Sequence, residues 1–205
     1  LTVRHRYQGL VAFHLAGPEH GYPPDEHLDA FYVMRRANHH ITIHAGAGSG
    51  LPSIWKALQW CGAERLGHGI RIVDDIDQSD LEPVLGDLAA YVRDRRLPLE
   101  SCPTSNVNSG AARSLDEHPI DLLDRLGFRV TVSTDNRLMS NTSASEEFHR
   151  LVSTFDYGWD HLERFTLNAA KSAFAPFPQR TALIHEVLVP WFATARAGFG
   201  ELFLP

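Results

Sequence analysis

His39-His40-Ile41-Thr42-Ile43-His44-Ala45-Gly46-Ala47-Gly48, residues 39 to 48, sets an apolar, β-branched run against a polar tip and a stretch of small residues. The part from Ile41 to His44 reads as a buried strand, and His44 stands where that strand runs out. The same shape recurs twice. Arg65-Leu66-Gly67 ends in His68, and Arg129 to Thr134 ends in Asp135. Two further strand-like runs cover Leu10 to Ala16 and Leu97 to Ser101. Parallel strands bring such polar tips together however far apart they lie in sequence, and in a (β/α) barrel that face carries the chemistry.

Between the five strands lie segments of helical period, the mark of βα units and a parallel sheet. Asp25 to Asn38 offers Leu28, Phe31, Tyr32 and Met34 as an inward stripe, and Ser53 to Cys61 offers Ile54, Ala57, Leu58 and Cys61. Asp77 to Tyr91 keeps Leu81, Val84, Leu85 and Leu88 in phase, with a helix start near Pro83. Pro119 to Leu126 is a short helix stopped by Gly127. Ser145 to Thr154, Trp159 to Ala173 and Gln179 to Ala195 form a helical tail.

The expected fold is therefore α/β, a single incomplete TIM-type (β/α)8 barrel domain over residues 1–205, with about five parallel strands, flanking helices and a C-terminal helical tail. A full barrel needs eight strands and about 250 residues, so three βα units are missing and both outer strands are expected to have open edges. Leu1-Thr2-Val3 carries no initiator Met and is expected to lead almost directly into a strand, as in a fragment.

Composition narrows the function. Hydrophobic residues at 43% and charged residues at 21% are those of a globular protein, and a net charge of -6 gives no electrostatic footprint for nucleic acid. The expected ligand is small and neutral or cationic. Cys61 and Cys102 are too few and too separated for a disulfide framework, which points to a reduced, cytoplasmic setting. No apolar run approaches the roughly 18 residues of a membrane span.

A histidine at a strand end can bind metal or simply hydrogen-bond there, and twelve histidines are spread along the chain. Context separates His44 from the rest: Ala45-Gly46 lets the backbone pass close to a ligand, and neutral imidazole is a common nitrogen ligand for zinc. His68 sits between Gly67 and Gly69, which frees the backbone to turn and project the ring into an open site. Asp135 is either an Asx-type cap or a ligand at the end of an apolar strand. Gly17, at the tip of Phe13 to Ala16, either offers backbone groups to a planar ligand or starts a turn before Pro18. His14 and Glu19 stay unassigned.

Six stretches occur in an order that resembles the adenosine deaminase family. They are Leu15-Ala16-Gly17-Pro18-Glu19, Ile43-His44-Ala45-Gly46, Arg65-Leu66-Gly67-His68-Gly69, Cys102-Pro103-Thr104-Ser105-Asn106, Ser133-Thr134-Asp135-Asn136 and Asn168-Ala169-Ala170-Lys171-Ser172. The resemblance implies the C-terminal part of such an enzyme, strands four to eight of the barrel. It implies a zinc ion held by His44, Asp135 and two histidines of a first strand outside this chain, with hydroxide attacking C6 of the purine. It gives His68 the role of orienting and deprotonating the water, Gly17 a backbone contact to purine N3, and Asn136 the place of an acid that pairs with N7.

Ala47 stands where the family carries the glutamate that protonates N1. A methyl group transfers no proton, and general acid catalysis is worth about 10² to 10⁴ in rate. The expectation is an adenosine deaminase-like chain with little or no activity, from drift in a paralogue, a damaged gene or a deliberate Glu-to-Ala change. Alternatives are a non-catalytic nucleoside-binding or interaction module, or a deaminase of adenine or a modified adenosine. The expected partners are a purine nucleoside and an N-terminal segment of the same protein, with neither nucleic acid nor membrane.

Overall fold

A computed structural model describes residues 1–199. Five parallel strands form one sheet in chain order: β1 (Ala12–Leu15), β2 (His40–Ala45), β3 (Arg65–His68), β4 (Pro98–Ser101) and β5 (Arg129–Val132). The helices between them are α1 (Leu28–Arg36), α2 (Gly50–Gln59), α3 (Asp87–Asp94), α4 (Pro103–Asn108) and α5 (Ile120–Arg125). After β5 come α6 (Arg137–Ser140), α7 (Ala144–Phe155), α8 (Trp159–Ser172), α9 (Phe177–Ala182), a π-helical turn over Leu183–Leu188 and α10 (Val189–Phe199). This is the expected partial barrel. Among the described residues β1 pairs with β2 alone and β5 with β4 alone, so both outer edges of the sheet are open.

Alternation along each strand sorts the side chains into two layers. Ile41, Ile43, Leu66, Leu99 and Val130 point to the helices and are buried there with Phe31, Met34, Ile54, Ala57, Leu123 and Phe165. Thr42, His44 and Glu100 take the other face, where Thr42 Oγ1 donates to Glu100 Oε2 at 3.3 Å and Arg65 Nε lies 2.9 Å from Glu100 Oε1. Apolar burial on the helix side supplies the main stabilisation, at about 25 cal/mol per Å² removed from water. The α2 stripe is buried as expected, and both cysteines are free and buried.

Three expectations are corrected. The helix expected to start near Pro83 starts at Asp87, because Ile76–Asp77 pairs antiparallel with Val84–Leu85 and leaves Leu81 fully exposed. The cause is Asp75: its main-chain oxygen accepts from Gly86 N–H at 2.7 Å and its carboxylate from Ala89 N–H at 2.8 Å, so it caps α3 from a distance in sequence. In α1 only Phe31 and Met34 of the expected stripe are buried; Leu28 is 43% and Tyr32 60% exposed. A 3-10 turn over Pro24–His27 delays the helix, which meets the sheet along a narrow line marked by the edge-on contact of Phe31 with Phe13 at 5.9 Å. The N-terminus forms a 3-10 helix over Val3–Gln8 before β1 instead of running straight into the strand.

Candidate functional site

Register places the strand tips side by side. His44 pairs with Gly67 and Ala45 with His68, so the two histidines leave the sheet at nearly the same level. Strict alternation would send His68 with Leu66 into the helix layer. It escapes because its backbone is left-handed, φ 67°, which turns the ring to the inner face and sets it edge-on to His44 with centroids 4.5 Å apart. Asp135 is left-handed too, φ 54°. Such conformations cost of order 1–3 kcal/mol in a non-glycine residue and persist where the surroundings hold them.

His44, Ala47, His68 and Asp135 line one cavity of about 410 Å³. Gly17 lines an adjoining cavity that shares Pro18, Glu19 and His44 with the first. Asn136 lines neither. Its Oδ1 accepts from Met139 N–H at 3.2 Å, which makes it the cap of α6, the role open to Asp135 in the sequence. The carboxylate of Asp135 instead accepts from Ser105 Oγ at 2.6 Å.

The loop after β2 is organised by a residue the sequence left unassigned. The Glu19 side chain is 4% exposed, and its carboxylate accepts four main-chain N–H bonds: Gly46 at 3.0 Å, Ala47 at 2.8 Å, Gly48 at 2.8 Å and Ser49 at 3.2 Å. Its Oε1 also lies 3.5 Å from His44 Nε2. Burial raises the cost of the charge, yet His44 and the loop amides outweigh it and hold the carboxyl well below its ordinary range. The amides form a nest just ahead of α2, where the helix dipole also favours an anion. Gly46 permits this path, with φ +76° and no room for a Cβ beside Ile54.

His68 is fixed from behind. Cys102 N–H donates to Asn106 Oδ1 at 3.2 Å, which orients the amide, so Asn106 Nδ2 donates to His68 Nδ1 at 2.9 Å. His118 Nε2 donates to the same Oδ1 at 3.1 Å while its Nδ1 accepts from Ile120 N–H at 3.1 Å. Main-chain donors at both ends leave one consistent assignment: both rings neutral, with the His68 proton on Nε2, toward the cavity. Burial, with the charge of His44 adding to it, pushes the His68 pKa down to about 4, and burial does the same to His118. The Cys102 thiol is driven strongly upward by burial, which removes it as a nucleophile.

Glu19, Ser105, Asn106 and His118 thus belong to the site beside the residues read from sequence. Glu19, Ser105 and Asn106 sit in the quoted stretches but show no spacing that reveals their partners, and His118 carries no signal at all. For a metal, the chain offers His44 nitrogen and Asp135 oxygen in one cavity. Among the described residues no group of three or more metal-ligating side chains converges, and catalytic zinc keeps three protein ligands. These two donors do not form a zinc site by themselves.

The adenosine deaminase family model matches residues 1–190. Over 198 residues the chain is 58% identical to adenosine deaminase 1 of Streptomyces coelicolor, covering 96% of this chain and 50% of that protein. Over 194 residues it is 61% identical to adenosine deaminase of Mycobacterium tuberculosis, covering 94% and 53%. The chain spans about half the length of the curated relatives it matches. Among solved structures, an adenine deaminase from Arthrobacter aurescens aligns with a TM-score of 0.81 at 23% identity, over 94% of this chain and 57% of that one. An amidohydrolase from Burkholderia ambifaria with bound zinc aligns at 0.78 and 22%, over 94% and 53%. These two share the fold.

Proposed function

The chain belongs to the adenosine deaminase family, and from that premise we propose that its strand tips form one half of a centre for hydrolytic deamination of adenosine to inosine, with the proton-donor position disabled. One observation carries the reading. Ala47 lines the same cavity as His44, His68 and Asp135, on the loop that Glu19 holds, so a side chain at 47 faces the reacting volume.

The chain's own residues support binding and orientation. The Nε2–H of His68 is a fixed donor into the cavity, and the Asp135 carboxylate, held by Ser105, is a fixed acceptor. Gly17 lines the adjoining cavity, where its main chain is placed to meet a planar base. The missing function is proton delivery to the base, because neither the Ala47 methyl nor the ionised Glu19, whose oxygens are taken by loop amides, can donate. Zinc enters this reading as an ion held by His44 and Asp135 and completed by donors outside the chain.

The same substitution favours a second reading, a nucleoside-binding module that kept the pocket and lost the chemistry. Conversion of adenosine to inosine, followed spectroscopically with and without zinc, is slow in both readings, and its recovery in Ala47→Glu separates the two. The expected result is adenosine binding with negligible turnover. Once the barrel is complete, Ala47→Glu is expected to raise the rate by about 10² to 10⁴. Full turnover with Ala47 in place, or no gain from Ala47→Glu in a barrel that binds zinc and adenosine, would remove the proposal.

A further inference from the structure

The N-terminal rim of the sheet, opposite the strand tips, borders a separate cavity of about 290 Å³. Arg65, Pro98 and Arg129, the first residues of β3, β4 and β5, open onto it, joined by Arg95 and Arg96 after α3 and by Lys171 and Arg180. Arg65 is paired with Glu100, and Glu64, the carboxylate of the lining, lies 2.7 Å from His40 Nδ1. Arg95, Arg96, Arg129, Lys171 and Arg180 make no ion pair among the described residues.

The contacts these five do make leave their charge uncompensated. Arg96 donates to the Gly127 main-chain oxygen, Arg180 Nη1 donates to the Lys171 main-chain oxygen at 2.8 Å, and Arg95 lies 5.0 Å from the Tyr91 ring centre. The Nε atoms of Arg129 and Arg180 are buried with no hydrogen-bond partner. Arg129 also feels Arg96 and Arg180 as like charges, and no carboxylate figures among the groups acting on it. In a chain of net charge -6, five unpaired cations around one cavity run against the overall balance. Buried cationic donors without partners are costly unless something satisfies them.

We propose that this cavity is a binding site for a compact phosphate-type oxyanion, held by Arg129, Arg180 and Arg96 with Lys171 and Arg95 at its rim. Planar guanidinium forks match tetrahedral oxyanions through paired N–H donors, and Arg129 and Arg180 both line the cavity while their Nε atoms have no partner in the protein. Charge and not stacking drives recognition, since Phe174, the aromatic ring of the cavity, is already stacked on His40 at 4.5 Å and on Arg65 at 3.8 Å. The site lies at the rim where barrels build stability and not catalysis, so its occupant ties β5 to the segment after α8. This inference does not depend on the deaminase reading.

The test titrates inorganic phosphate into the chain in phosphate-free buffer at constant ionic strength, reading the thermal midpoint and binding by calorimetry. The midpoint is expected to rise saturably, as for a ligand that binds the folded state, while sodium chloride has no such effect. The double variant Arg129→Gln/Arg180→Gln is expected to bind phosphate about tenfold or more weakly, losing two charge-assisted contacts. Exposed Lys171→Glu gives a second variant with Arg96, Arg129 and Arg180 unchanged and is expected to weaken binding in the same direction. Ribose 5-phosphate in a parallel arm separates a free anion from a phosphoryl group on a larger molecule. Phosphate acting no differently from chloride, or binding the double variant as it binds the parent chain, overturns the site.

Discussion

The two rims of one sheet treat charge in opposite ways. At the C-terminal rim three ionisable groups are wired to fixed partners: Glu19 to four loop amides, His68 through Asn106 to His118, Asp135 to Ser105. At the N-terminal rim five cations gather with no ion pair among the described residues. The contrast teaches how to tell a pre-organised site from one that waits for a ligand. Fully satisfied polar groups hold a geometry without help, whereas convergent unsatisfied donors state what is missing.

Substitution at each rim tests that contrast. Glu19→Gln leaves four N–H donors facing a neutral amide and is expected to destabilise the fold by about 3–5 kcal/mol, read as a shift in the urea midpoint. A loss near zero would show that the loop keeps its path without the carboxylate. Acid gives the next effect. Because the folded pKa of His118 is about 4 against an ordinary 6.5, the unfolded chain takes up the proton first. Its stabilising contribution is therefore complete above pH 6.5 and declines as pH falls toward 4, by about 3 kcal/mol, so urea midpoints measured at pH 7 and pH 4.5 should separate, and less so in His118→Gln.

Asn106→Ala strips partners from the Cys102 N–H, His118 and His68 and is expected to cost about 1–3 kcal/mol. It also frees the His68 proton to move between ring nitrogens, which nitrogen NMR of the imidazole would report; an unchanged ring spectrum would break the proposed wiring. The smallest effect belongs to the other rim. In phosphate-free buffer Arg129→Gln is expected to leave the midpoint unchanged or slightly raised, because it relieves like-charge repulsion and breaks no ion pair. A clear loss of stability there would show that the cations are satisfied after all.

The sequence made the strands legible because their apolar, β-branched runs end abruptly at polar tips, and that pattern also marked His44, His68 and Asp135, which share a cavity with Ala47, the position singled out by the family resemblance. What it concealed depends on partners distant in sequence. Asp75 starts α3 through Ala89 N–H, so periodicity over Leu81 to Leu88 gave no warning of the two-strand ladder ahead of the helix. Glu19 is invisible because it binds main-chain amides, which carry no residue identity. The Asn106–His118 pair is invisible because its meaning lies in hydrogen-bond direction. Asn136, expected at a purine nitrogen, is placed as a helix cap in this chain.

The left-handed backbone at His68 and Asp135 has a consequence for anyone improving this protein. A selection for heat resistance that ignores ligand binding would drift toward asparagine or glycine at exposed Asp135, the residues that tolerate its dihedrals best, while the buried ring of His68 is kept by its bond from Asn106. The survivors would be sturdier and chemically mute, so a library built on this scaffold has to hold the codon for Asp135 constant.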